Sequence, residues 1–211
     1  MEPQDHGRPD ADAWTPLDQR LARALVRPLA GTAVTPNQLT FLCLAVGLAA
    51  ALFLAIPSPA ATNTGAFLFM LAVFLDHTDG ELARMTGRTS ELGHRLDYMV
   101  GSAIYTAMFI GAGVGLHGSG GPIWVLVLGV AAGLINIPTV YLRLKLDLGY
   151  GAEAVAHPRF GLFELEDFIY LIGPATWLGG LAYFFPVIAF GSLGYFGWTC
   201  LELHRHRKAG G

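Results

Sequence analysis

Charged residues are few in this chain. Asp, Glu, Lys and Arg make up 14% of its 211 residues, while 53% are hydrophobic; soluble domains run at about one quarter charged. That composition excludes an ordinary soluble domain and points to a membrane protein. Cysteine is nearly absent. Cys43 and Cys200 lie inside apolar runs without ligand-like spacing, so neither a disulfide framework nor a cysteine metal centre is expected. Residues 1–12, MEPQDHGRPDAD, hold no apolar stretch of the kind a cleavable signal peptide needs, and read as a disordered polar segment. Membrane insertion is then expected to rest on internal spans. The formal net charge of -3 is small, and nothing in its pattern suggests nucleic-acid binding.

The places without basic residues are more informative. All 13 Lys and Arg fall in the N-terminal arm, around residues 84–95, between residues 143 and 159, and in the tail from Arg205. The apolar stretches between them give spans at about 37–56, 64–84, 94–116, 123–141, 165–183 and 185–203, each near the length that crosses a bilayer. The expected fold is therefore an all-α membrane protein, six transmembrane helices forming one domain over residues 13–211. An amphipathic juxtamembrane helix precedes them. In it Trp14, Leu17, Leu21, Leu25 and Leu29 recur near helical period, with Arg20, Arg23 and Arg27 between. Such a helix suits the interface plane, and equally a docking site on the bundle. Thr35 is placed as the N-cap of the first span, with Pro36 at the first helical position. Pro138 is expected to kink the fourth span, Gly173, Pro174, Gly179 and Gly180 to interrupt the fifth, and residues 142–163 to form a long loop. Charged and uncharged turns alternate, so the positive-inside rule puts both termini on the cytoplasmic side of an inner or plasma membrane.

Acids are costly in such a chain, yet they cluster. Asp76, Asp79, Gly80 and Ala83 stand at i, i+3, i+4 and i+7, and so share one stripe of a helix. Gly93, Asp97 and Gly101 form a second stripe at i, i+4 and i+8 on the next apolar segment. Two such stripes facing each other would gather three carboxylates, with small residues that let a backbone or a flat ligand approach. A hard divalent cation with oxygen ligands is the usual remedy for such acids.

The string resembles the signature of the CDP-alcohol phosphotransferase (CDP-alcohol phosphatidyltransferase) family, D-x2-D-G-x2-A-R-x8-G-x3-D-x3-D. Asp76, Asp79, Gly80, Ala83, Arg84, Gly93 and Asp97 match it, and Gly101 replaces its final aspartate. The resemblance implies transfer of a phosphoalcohol group, typically phosphatidyl, from a CDP-alcohol or CDP-diacylglycerol donor to an acceptor alcohol. CMP is released, as in phospholipid biosynthesis, by a homodimer among membrane lipids. It also implies Mg2+ or Mn2+ held by Asp76, Asp79 and Asp97, and a nucleotide pocket built around Gly80, Ala83, Arg84 and Gly93. Asn37 and Thr40, in a P-N-x-x-T start similar to the family's, would face that pocket or serve only the helix start.

The last aspartate of the signature is the family's expected general base, so its replacement by Gly101 leaves two readings. One is an enzyme with a relocated base. The other is a catalytically silent relative that binds metal and CDP-alcohol or supports a partner. Candidate bases are His94, three residues before Asp97, and Glu164, Glu166 and Asp167 at the start of the fifth span. Arg143, Lys145 and Arg159 are the candidates for acceptor-phosphate binding. A cation pathway is disfavoured, because the acids sit at one membrane edge and no polar chain crosses the bilayer.

Overall fold

The computed structural model describes residues 17–155, 159–160 and 163–209, with the backbone alone at 17–19, 152–153, 159–160, 163–167 and 209. The segment expected to be disordered, 1–12, lies outside the described residues. The architecture is an all-α bundle. Its core helices are α2 (Pro36–Ala55), α3 (Pro59–Thr86), α4 (Glu91–Gly118), α5 (Ile123–Tyr150) and, late in the chain, α7 (Leu181–Ala209). All five are long and apolar enough to cross a membrane. α1 (Leu17–Val26) precedes them, and a short α6 (Ile172–Trp177) stands between α5 and α7.

Local chemistry sets the helix ends that matter for the site. Thr35 N donates to Gln38 Oε1 at 2.9 Å and Thr35 Oγ1 accepts from Gln38 N at 3.4 Å, closing a capping box with Pro36 just inside. α3 carries the first acidic stripe in its last turns. It stops at Gly87, whose φ of 67° gives the left-handed cap that glycine takes most readily. α4 starts after a tight turn, with Ser90 Oγ accepting from Gly93 N at 3.0 Å. The two motif halves are thus held on either side of a turn of three described residues without regular structure, Arg88, Thr89 and Ser90.

α2 lies between α3 and α4, packing closely on both, while α3 and α4 scarcely touch. Small residues permit this. A Cβ added at Gly115 would stand 1.9 Å from Leu54 O, and one at Gly111 2.3 Å from Ala51 O, so α4 backbone rests directly on α2 backbone. Gly113 and Gly129 do the same between α4 and α5. The core between them is filled by Cys43, Leu54, Phe69, Ile104, Met108 and Phe185, among others.

Two expectations are corrected. The segment 142–163 is not one loop, because α5 runs on without a break to Tyr150, through Pro138. The fifth span is shorter than expected. Residues 165–171 form a 3-10 helix and α6 follows; at 2.0 and 1.5 Å per residue the pair extends about 23 Å, less than the roughly 30 Å of hydrocarbon. It runs beside α3, with Gly173 against Met70 and the Trp177 indole donating to Asn63 O at 3.4 Å. Gly179, at φ 74°, then turns the chain into α7. Between α5 and α6, Arg159–Phe160 and Phe163–Glu164 pair as two-residue antiparallel strands.

α1 docks on the bundle through Ala22 and Val26, with Val26, Leu39 and Leu82 forming a small apolar cluster. Leu21 and Leu25 remain exposed on its other side. The helix is therefore docked and still presents an apolar face, as an interfacial helix must.

Candidate functional site

The ends of α2, α3 and α4 enclose a cavity of about 500 Å³. Asn37 and Thr40 of α2 line it, with Asp79, Gly80, Ala83 and Arg84 of α3, and Gly93, His94 and Asp97 of α4. The turn residues Arg88, Thr89 and Ser90 close its rim. All six residues assigned to the nucleotide by resemblance therefore meet around one space, drawn from three helices. α2 packs on both α3 and α4, and its N-terminal turn supplies Pro36, Asn37 and Thr40 to the cavity wall. Gly80 keeps the wall thin, and the Arg84 guanidinium lies 3.5 Å from where its Cβ would be. A Cβ at Gly93 would come within 3.0 Å of Ser90 Oγ and 3.5 Å of Asn37 Oδ1.

The three aspartates have different surroundings. Asp79 is buried, and its Oδ2 accepts a hydrogen bond from the buried Thr40 hydroxyl. Asp97 Oδ1 is buried with no hydrogen-bond partner among the described residues, a costly condition that a ligand or cation would relieve. Asp76 stands one turn before Asp79 and lines a narrow crevice with Cys43, Ala72, Gly101 and Tyr105. The Cys43 thiol is 3.7 Å from Asp76 Oδ1 and 3.2 Å from Ala72 O. Among the described residues no three His, Cys, Asp or Glu side chains gather as a metal site. Asp79 and Asp97, one from each stripe, line the same cavity, and Asp76 lines the crevice with Gly101. The donor set, all carboxylate oxygen with one oxygen orphaned, suits a hard divalent cation; its ligand shell is not pre-formed.

Charges around the cavity are arranged by specific pairs. Glu81, a variable position of the signature, is buried and accepts from Arg23 Nε at 3.1 Å and from Arg84 Nη2 at 2.8 Å. His94 faces the cavity, and its Nε2 lies 2.7 Å from Asp147 Oδ2 on α5. Tyr98 OH donates to the same oxygen at 3.0 Å. Sequence reasoning missed Asp147, Glu81 and Tyr98. Asp147 was hidden in a presumed loop, and the signature leaves the other two positions undefined.

The remaining candidates are elsewhere. The side chains of Glu164, Glu166, Asp167 and Arg159 lie outside the described residues. Arg143 is buried between α5 and α7, donating to Glu202 Oε2 and to Val155 O (2.6 Å for the latter), beside the Tyr195 ring. Lys145 is exposed over the ring of Tyr141. Neither Arg143 nor Lys145 lines the cavity, whose cations are Arg84 and Arg88.

A comparison with curated proteins gives no match. Residues 33–193 match CDP-alcohol phosphatidyltransferase, a stretch that starts just before α2, takes in both acidic stripes and the whole cavity, and reaches into α7. On that match over most of its length, the chain belongs to the CDP-alcohol phosphatidyltransferase family.

Proposed function

We propose that this integral membrane protein transfers a phosphoalcohol group, most simply phosphatidyl, from a CDP-linked donor to an acceptor alcohol and releases CMP. The observation that supports it best is the single cavity in which Asp79, Gly80, Ala83, Arg84, Gly93 and Asp97 meet Asn37 and Thr40. Asp76, Asp79 and Asp97 would hold Mg2+ or Mn2+, and a bound cation would neutralise the diphosphate and ease departure of CMP. Gly80 and Gly93 leave room for the nucleotide near the helix backbones. Arg84 and Arg88 bring fixed positive charge to its phosphates. The acceptor oxygen then forms a bond to the phosphorus that carries the alcohol, and the bond to the bridging oxygen breaks with its electrons leaving on CMP. The acceptor proton goes to a base other than residue 101; His94 is the candidate base whose side chain lines the cavity. In this reading the cavity opens on the cytoplasmic face, where a soluble nucleotide and a lipid can meet, and the chain works as a homodimer.

Gly101 favours one second reading, a silent relative that binds CDP-alcohol without turning it over. A Cβ added there meets nothing within 4 Å among the described residues, so none of their side chains stands in the place of the lost carboxylate. Thermal stability in detergent tests the binding step shared by both readings. Mg2+ with CDP should raise the melting temperature of the wild type and leave Asp79→Asn and Asp97→Asn unchanged. No shift for the wild type would count against this cavity as a nucleotide site.

A further inference from the structure

We infer that Asp147 is a positioning residue that fixes the tautomer of His94, so that His94 Nδ1 takes the acceptor proton that the family's last aspartate would have taken. This rests on the transferase reading above. Asp147 lies on α5, which no part of the signature covers, and 53 residues separate it from His94.

The geometry carries the assignment. His94 lines the cavity beside Asp97, and its Nε2 is 2.7 Å from Asp147 Oδ2. Tyr98, one turn along α4, donates its hydroxyl to the same oxygen at 3.0 Å, and the two rings meet edge to face with centroids 5.2 Å apart. The Asp147 side chain is only 12% exposed against 42% for His94, so the carboxylate is sheltered while the imidazole reaches the cavity. A carboxylate only accepts, so the neutral imidazole must present Nε2–H to it and keep its lone pair on Nδ1. Nδ1 has no hydrogen-bond partner among the described residues. A sheltered carboxylate, a cavity-lining imidazole oriented by it and a second ring nitrogen left to accept are the parts of a general base. Tyr98 and the ring contact hold the carboxylate and imidazole from a second side.

In the step itself the acceptor hydroxyl gives its proton to His94 Nδ1 as its oxygen bonds to phosphorus. The imidazolium that forms is stabilised by the Asp147 carboxylate. The proton then passes to water or to the departing CMP phosphate, restoring neutral His94.

Asp147→Asn separates this role from a mere clip between α4 and α5. It keeps the size and a hydrogen bond, but its amide can donate to Nε2 and so favour the opposite tautomer. Two measurements are made on the full chain in detergent: CMP release from CDP-diacylglycerol with Mg2+ and a panel of acceptor alcohols, and the His94 ring nitrogens by 15N NMR. The wild type should show the Nε2–H tautomer. Asp147→Asn should shift it toward Nδ1–H and lower kcat at least tenfold with the donor KM unchanged. His94→Gln should lose at least as much, and Tyr98→Phe should lose a few-fold while keeping the wild-type tautomer. Wild-type release with Asp147→Asn or His94→Gln unimpaired overturns this inference alone, as does an Nδ1–H tautomer in the wild type. If the wild type releases no CMP from any donor and acceptor, the transferase reading falls and takes the inference with it.

Discussion

Arg23 of α1 reaches Glu81 of α3, Nε to Oε2 at 3.1 Å, and so ties the amphipathic helix to the middle of the acidic motif. Glu81 is buried and shares its carboxylate with Arg84, a cavity residue. Glu81→Gln should loosen both arginines. About 1–3 kcal/mol of stability should be lost, the usual range for removing one partner of a buried hydrogen-bonded group. Arg23→Ala should lose less, since Arg84 still satisfies Glu81 and Arg23 is half exposed. Melting in detergent reads both, and equal effects would mean that Arg23 alone anchors the pair.

Thr40→Val should expose the dependence of Asp79 on its protein donor. Valine keeps the shape and removes the hydroxyl that Asp79 accepts from. The metal-free protein should lose about 1–3 kcal/mol, and CDP binding should weaken. An unchanged melting temperature would show that Asp79 finds water in place of Thr40.

Glycine substitutions should sort by what each glycine faces. Gly115→Ala puts a methyl 1.9 Å from Leu54 O, and should destabilise by about 3 kcal/mol, the upper end for overpacking. Gly101→Asp enters open space beside the Asp76 crevice, should be tolerated, and should raise CMP release by restoring a carboxylate there. Gly80→Leu should fold normally and abolish CDP-dependent stabilisation, because its side chain would occupy the cavity. Retained CDP affinity in Gly80→Leu would place the nucleotide elsewhere.

Much of this was legible along the chain, for local reasons. Thr35, Pro36 and Gln38 carry a helix start in their own side chains, and the structure shows the capping box they make. The acids announced themselves by their rarity, and their helical spacing placed Asp79 and Asp97 on one cavity. What failed depended on tertiary context. Residues 142–150, LRLKLDLGY, alternate apolar and polar, which hides a helix, yet α5 continues through them because α4 and α7 receive its two faces. Arg143 and Asp147 then fall one turn apart, one turned to Glu202 and the other to His94. Of the three carboxylates expected to converge, Asp79 and Asp97 line one cavity and Asp76 lines a crevice shared with Gly101. α2, which packs on both α3 and α4, adds Asn37 and Thr40 to the wall of that cavity, a contribution that helical spacing within α3 and α4 does not reveal.

A cavity that transfers a group, and does not merely hold a nucleotide, must release CMP when an acceptor is present. Acceptor-dependent CMP release by the purified chain, with Mg2+ and CDP-diacylglycerol, tests for transfer most directly. CMP release should need both an acceptor alcohol and Mg2+, and should disappear in Asp79→Asn. No CMP from any donor and acceptor, in a protein that CDP still stabilises, would contradict transfer and leave a binding protein with the family's fold.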